Sequence, residues 1–230
     1  MLKFSKANSK LQKLGKVGEI LPFLGNRRKV YSLDLLAGYT CPYSHECLSQ
    51  VVNGKIVDGP NTKFRCYAAS LEALYKAKFR SDEHNTKLIR ATTTHSELVR
   101  LIQDSMPKNL GVCRIHSSGD FFNQRYFDAW IDVAKNNADR LFYAYTKNLK
   151  VWINCLGDIP SNMVLTASYG GKLDALIEQH KLRYAKVIYS LDEATALGLE
   201  VDDNDSHAAN PKTRDTSFLL LIHGVQPKRK

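Results

Sequence analysis

Apolar runs and amphipathic segments alternate along most of the 230-residue chain. Six short runs rich in β-branched, aromatic or aliphatic residues, bounded by Gly, Asp or Asn, predict β-strands. They cover residues 30–36, 112–116, 141–146, 163–168, 186–190 and 218–223. Because most of these runs lack a polar face, we expect both sides of the sheet to be covered.

Segments with helical periodicity lie between the strand-like runs. Thr94-His95-Ser96-Glu97 forms a capping-box pattern that predicts a helix start. Further helices are predicted over residues 67–79, 123–136, 148–156, 172–181 and 191–197, and residues 86–93 fit either a strand or a continuing helix. Strand–helix alternation predicts an α/β fold with a parallel sheet. Polar and small residues recur at strand ends, which favours a TIM-like, partial or distorted β/α barrel with six or seven mainly parallel strands over an open, doubly wound sheet.

The positive charge of the chain lies at its two ends. The formal net charge is +10, of which residues 1–29 carry +7 and residues 228–230 carry +3. We therefore divide the chain into a basic N-terminal segment (1–29), a single barrel domain (30–227) and a basic tail (228–230). The basic ends are interpreted as solvated extensions, with binding of nucleic acid or an acidic partner as the alternative.

Two further features limit the setting and the surface of the protein. We find no signal-peptide pattern and no apolar run long enough to span a bilayer, so no membrane partner is expected. Five cysteines in a chain of this kind indicate reduced thiols in a cytosolic protein. The polar stretch 200–216 predicts a long solvated loop. Its aspartates at 202, 203 and 205 resemble a cation site but lack the spacing of a calcium loop.

Three cysteines follow the first predicted strand and carry the strongest chemical signal. Cys41 and Cys47 lie in one loop, and Cys66 lies at a predicted helix start, where the helix dipole favours a thiolate. Three thiolates can hold three irons of an iron–sulfur cluster and leave a fourth iron open. A zinc site with His45 as fourth ligand and unliganded thiols are the alternatives. Cys113 and Cys155 are predicted to be core residues.

Polar side chains at the other strand ends suggest a pocket around such a cluster. His116 and Asp120 end the second predicted strand, Lys147 follows the third, and His223 ends the sixth. Strand alternation would place Arg114 and His116 on one face and Cys113 on the other. Since active sites of β/α barrels lie at the carboxyl ends of the strands, we predict that His116, Asp120, Lys147 and His223 line a catalytic pocket.

Five segments together resemble the phage "gene product 88" family. They are Gly38–Pro42, Phe64–Ala69, Arg114–Phe122, Phe142–Lys147 and Leu221–Gly224. The resemblance implies a bacteriophage-encoded protein that acts in the host cytoplasm. More distantly, the layout is similar to radical S-adenosylmethionine enzymes, which have a partial barrel and three cluster cysteines after the first strand. Here the spacing is C-x5-C with a distant Cys66, and no Gly-Gly-Glu-type motif follows a second strand, so S-adenosylmethionine is not an expected cofactor.

These observations predict a phage-encoded iron–sulfur protein. Cys41, Cys47 and Cys66 would bind a [4Fe-4S] cluster, with [3Fe-4S] as the alternative, and the open iron would bind a small ligand such as sulfide, water or substrate. The chemistry would be sulfur transfer or redox if the protein is an enzyme. The alternative functions are a nucleic-acid-binding phage module with a structural metal site and a divergent radical S-adenosylmethionine enzyme.

Overall fold

The computed structural model describes residues 1–224 and 226 and contains a mixed α/β fold. Its main sheet has seven strands in the order β1-β2-β5-β6-β7-β8-β9, and a separate hairpin pairs β3 with β4. The strands are β1 (Phe4–Lys6), β2 (Lys29–Leu33), β3 (Ser49–Val52), β4 (Lys55–Asp58), β5 (Leu110–Ile115), β6 (Leu141–Thr146), β7 (Met163–Ser168), β8 (Tyr184–Ile188) and β9 (Phe218–Leu221).

Ten α-helices connect or cover these strands in the described part of the chain. They are α1 (Ser9–Gln12), α2 (Leu21–Leu24), α3 (Tyr67–Leu74), α4 (Lys76–Ala91), α5 (His95–Ser105), α6 (Gln124–Lys135), α7 (Leu149–Ile153), α8 (Ala175–Gln179), α9 (Leu191–Leu197) and α10 (Ser206–Ala209). Short 3₁₀ helices occupy Lys13–Lys16 and Pro211–Thr213. Within residues 1–224 and 226, none of the helices combines the length and the apolar character that a bilayer crossing needs.

The sheet is mostly parallel, as the strand–helix alternation predicts. Only β1 is antiparallel to its neighbour, with Phe4 opposite Leu33, and β2 through β9 pair in parallel. Sequential strand order is typical of singly wound β/α folds. Among the described residues, β1 and β9 are the two edges and do not pair, so the sheet stays open. A mostly parallel α/β sheet is therefore confirmed, whereas barrel closure is not.

Both faces of the sheet are covered by apolar cores. One core packs strand residues such as Ile115 and Phe142 against α5, α6 and α7, with Trp130 fully buried. The other packs Val112 and Tyr143 against the N-terminal segment and α10. This two-sided burial explains why the central strands read as nearly continuous apolar runs.

The basic N-terminal segment belongs to the folded body, which corrects its interpretation as a solvated extension. It supplies β1 and four core side chains, Leu11, Leu14, Ile20 and Leu24. Three of its cations form ion pairs: Lys10 with Asp205, Lys13 with Asp203, and Arg28 with Asp139. The predicted tail at residues 228–230 lies outside the described residues.

The stretch 200–216 is also structured, which corrects its interpretation as a solvated loop. It contains α10 and a 3₁₀ turn, and the side chain of Asp205 is fully buried. Arg114 Nη1 and Lys10 Nζ lie 2.6 and 3.0 Å from the Asp205 carboxylate, and Tyr143 OH donates to it at 3.0 Å. The carboxylate of Asp205 thus holds protein cations rather than a metal ion.

Candidate functional site

The loop after β2 is folded back on itself by a glycine that carries positive φ. Gly38 has φ +73°, and a Cβ at this position would lie 2.6 Å from the Ser49 carbonyl oxygen. The next residues turn tightly, with Tyr39 N donating to Ala37 O and Cys41 N donating to Gly38 O at 2.8 and 3.2 Å. This local geometry places Cys41 directly after the turn, at the carboxyl end of β2.

Cys47 and Cys66 are held by neighbouring polar groups. Ser44 Oγ lies 3.2 Å from Cys47 Sγ, and Cys66 N donates to Ser49 Oγ at 3.2 Å. Cys66 has extended backbone at the N-cap position of α3, as predicted from the sequence. The hairpin residue Ser49 therefore links the strand after the Cys47 loop to the start of the helix.

The three thiols lie close enough to influence one another electrostatically. Burial raises the pKa of Cys41 well above its usual range, and Asp120, Cys66 and Cys47 raise it further. Burial and Cys47 raise the pKa of Cys66 to about 11, although the amides of Ala68 and Ala69 at the helix start lower it. Each sulfur is thus protonated at neutral pH unless a cation replaces the proton.

The thiols do not form a site for a single metal ion as they stand. Within the described ranges, 1–224 and 226, no three His, Cys, Asp or Glu side chains are grouped closely enough to hold one ion. All five cysteines are free. This counts against a mononuclear zinc site built on His45 and the cysteines.

Asp120 lies at the same end of the sheet as Cys41 and is bonded to the loop after β6. Its carboxylate accepts from Thr146 Oγ1 at 2.7 Å and from Lys147 N at 2.9 Å. Its own amide donates to Thr40 Oγ1 at 3.3 Å, next to Cys41. Burial raises the pKa of Asp120 to about 6 despite these hydrogen bonds. Asp120 is therefore a buried acid in electrostatic contact with a cysteine of the site.

Lys147 is nearly buried and its ammonium is used within the protein. Nζ donates to Ser168 O and Ser168 Oγ at 3.0 and 2.8 Å, and to Tyr169 O at 2.5 Å. These contacts join the ends of β6 and β7. The predicted pocket residue Lys147 thus fixes two neighbouring strand ends.

The two predicted histidines occupy different environments. His116 has φ +68°, which turns its side chain away from the Arg114 face and into the aromatic core, where Nε2 lies 2.9 Å from Tyr126 OH. The predicted shared face of Arg114 and His116 is therefore wrong, because strand alternation ends at Ile115. Burial lowers the pKa of His116 to about 3, so this imidazole is neutral.

His223, in contrast, is exposed beside the cysteine helix. Its ring centroid lies 4.7 Å from that of Tyr67, the residue after Cys66. Partial burial lowers the pKa of His223, and the positive charges of Lys10 and Arg114 lower it further. The structure thus brings Asp120 and His223 to the cysteines, whereas His116 lies in the core.

The remaining cysteines are core residues, as predicted. Cys113 is fully buried on the helical face. Cys155 packs against the same core, donates to Asp128 Oδ1 at 3.4 Å and accepts from Gln124 Nε2 at 3.3 Å. Both lie apart from the three clustered thiols in the contacts that hold them.

Sequence reasoning missed two polar residues of the site. Ser44 lies three residues before Cys47, so its proximity could have been read from the spacing. Glu72 contacts Ala37 and Ser118, which lie 35 and 46 residues away in the chain. No local pattern signals such contacts.

Comparison with known proteins identifies the family. The model of the family described as "Gene product 88" matches residues 2–230. The chain is similar to the "Gene 88 protein" of Mycobacterium phage L5 and of Mycobacterium phage D29, with 34% identity over 91 residues in each case. Each match covers 36% of this chain and 38% of the relative, so the aligned part spans well under half of those proteins. No solved structure matches the chain, and similarity to radical S-adenosylmethionine enzymes is not supported. With nearly its whole length matched by the family model, the chain belongs to the Gene product 88 family of bacteriophage proteins.

Proposed function

We propose that this protein binds an iron–sulfur cluster through Cys41, Cys47 and Cys66. The observation that carries the proposal is the mutual electrostatic influence of these three thiols, which come from one loop and the following helix start. In a cluster each thiolate ligates a different iron, so its ligands are spread more widely than those of a single ion. That difference reconciles three neighbouring thiols with the lack of a single-ion site in the described part of the chain.

A [4Fe-4S] cluster with three cysteine ligands would have one iron open to a small exogenous ligand, and a [3Fe-4S] cluster would have none. Lys10 and Arg114 influence His223, which contacts the ring of Tyr67 next to Cys66. These two cations share one buried carboxylate, that of Asp205, so the group carries a net positive charge. Such surroundings favour an anionic ligand such as sulfide. Sulfur transfer or redox chemistry at the mouth of a partial barrel, in the host cytoplasm, is the function proposed.

The direct test is metal and sulfide analysis of protein purified and reconstituted without oxygen. We expect a brown protein with about four irons and four sulfides per chain, or about three irons for [3Fe-4S]. Electron paramagnetic resonance of the reduced and oxidised forms would distinguish the two. A colourless protein that takes up neither iron nor sulfide would rule the proposal out.

Iron retention is expected to increase with pH. Because burial raises the pKa of Cys66 to about 11 and that of Cys41 higher still, ligation must displace protons at neutral pH. Affinity should then rise about 10-fold per pH unit for each proton displaced. The measurement is the fraction of iron retained against a fixed concentration of chelator between about pH 6.5 and pH 8.5. Retention that stays constant or falls over this range would contradict protonated ligands.

A further inference from the structure

One buried carboxylate joins the three segments on which the proposed cluster site depends. Glu72 lies on α3, six residues after Cys66, and is 1% exposed. Its Oε1 accepts from Ala37 N at 2.9 Å, in the loop that carries Cys41. The same oxygen accepts from Ser118 Oγ at 2.6 Å, in the loop that leads to Asp120.

The segments joined by Glu72 are also in direct contact with each other. Leu35 N donates to Ser118 O at 2.9 Å. Gly119 has φ +88°, and a Cβ there would lie 2.6 Å from Thr40 Oγ1, so the two loops touch at a point where only glycine fits. A movement of Glu72 would therefore be transmitted to the turn that precedes Cys41.

The second oxygen of Glu72 faces another acid. Oε2 is buried and has no donor among the described residues, and Asp82 is the neighbouring carboxyl group. Two carboxylates cannot hydrogen-bond to each other unless one carries a proton. Burial raises the pKa of Glu72 and raises that of Asp82 to about 8, so the pair shares a proton at neutral pH. Lys78, within 2.5 Å of Asp82 and 3.1 Å of Asp34, keeps the remaining charge compensated.

We propose that Glu72 is a positioning residue of the cysteine site, which holds the Cys41 loop against the helix that begins after Cys66. This inference rests on the proposed function. Its chemical content is specific: an acceptor is needed at Oε1 and a donor at Oε2, while a full negative charge is not. Glutamine supplies both groups in the same shape, and leucine supplies neither.

The test compares Glu72→Gln and Glu72→Leu with the matched control Asn162→Leu. Asn162 is a buried amide that donates to the carbonyls of Ala134, Asn137 and Arg140, away from the cysteines. Iron affinity should stay within about 2-fold for Glu72→Gln and for the control, and fall about 10-fold or more for Glu72→Leu, as for other groups that orient metal ligands. The resonance spectrum of Glu72→Gln should match that of the wild type. If Glu72→Leu does not fold, Ser118→Ala replaces it, since it removes one of the two donors to Oε1.

A second measurement needs no iron and separates this inference from the proposed function. In the metal-free Cys47→Ser background, a short thiol cross-linker such as dibromobimane should bridge Cys41 and Cys66, as located by peptide mass spectrometry. Glu72→Leu should lower the yield and Glu72→Gln should preserve it. If wild-type protein takes up no iron yet cross-links in this way, the proposed function fails and the positioning role stands. Equal cross-linking in all variants, or an equal loss in Asn162→Leu, would overturn the positioning role.

Discussion

Replacing Cys41, Cys47 or Cys66 by serine should each abolish stable iron binding, whereas Cys155→Ser should leave it intact. Serine keeps nearly the same volume but supplies a hard, weakly acidic hydroxyl in place of a soft thiolate. With only three cysteine ligands, the loss of one leaves two, and no described side chain lies in a group that could compensate. We expect less than about a tenth of the wild-type iron in each variant, consistent with the thiolate requirement of these clusters.

Cys155 is the suitable control because it is a partly buried thiol with its own polar contacts. It lies between Asp128 and Gln124, and its pKa is also raised, to about 11. A general effect of thiol loss on folding or iron uptake would appear in Cys155→Ser as well. The measurements are iron and sulfide per chain together with the visible spectrum, on monomeric protein of equal thermal stability. Iron retention by any of the three serine variants would contradict ligation by that cysteine.

The parts of the fold that follow local rules could be predicted from the sequence. β6 and β7 have the predicted bounds, because apolar runs between Asn or Asp and Gly have few alternatives. The capping box at Thr94 also forms, with Thr94 Oγ1 accepting from Glu97 N at 3.3 Å. The predicted helix over residues 67–79 instead breaks at Tyr75, which has φ −116° and separates α3 from α4. Residues 86–91, the ambiguous stretch, continue α4.

Short elements were missed although the sequence contains signals for some of them. The hairpin of β3 and β4 turns at Asn53 and Gly54, which both have positive φ, and Asn-Gly is the strongest short signal for such a turn. In the N-terminal segment, Leu11, Leu14 and Leu24 recur among the lysines and are buried. The basic charge obscured this apolar pattern. The helices there have only four residues, too few for periodicity to be recognised.

The site was predictable where chemistry lies close in sequence and unpredictable where it depends on distant partners. Cys41, Cys47 and Asp120 could be selected because they follow strands, and the structure brings Asp120 into electrostatic contact with Cys41. The environment of His116 depends on a single backbone angle, φ +68°, which no residue pattern announces. Glu72 depends on loops 35 and 46 residues away. Pairings of this kind are decided by the tertiary fold.

Replacing Asp205 by alanine should destabilise the protein by about 3–5 kcal/mol, the usual cost of removing one partner of a buried ion pair. The substitution leaves the Arg114 guanidinium, the Lys10 ammonium and the Tyr143 hydroxyl without their common acceptor. Asp203→Ala is the matched control, because Asp203 is two residues away, 75% exposed, and paired with Lys13 at 3.7 Å. An exposed pair of this kind contributes less than about 1 kcal/mol. Urea denaturation should show a lower midpoint for Asp205→Ala at an unchanged slope.

The pH dependence of this difference identifies its cause. Burial alone would raise the pKa of Asp205, but Arg114 and Lys10 outweigh burial and lower it. A carboxyl group whose pKa is lower in the folded than in the unfolded state stabilises the protein above its unfolded pKa, about 4, and loses that contribution as the pH falls through its folded value. The stability gap between wild type and Asp205→Ala should therefore be constant from about pH 7 to pH 5 and narrow in stronger acid. Equal stability of Asp205→Ala and Asp203→Ala would mean that residues 200–216 are not part of the core, and a gap that widened in acid would show that Asp205 is not held as a carboxylate by its two cations.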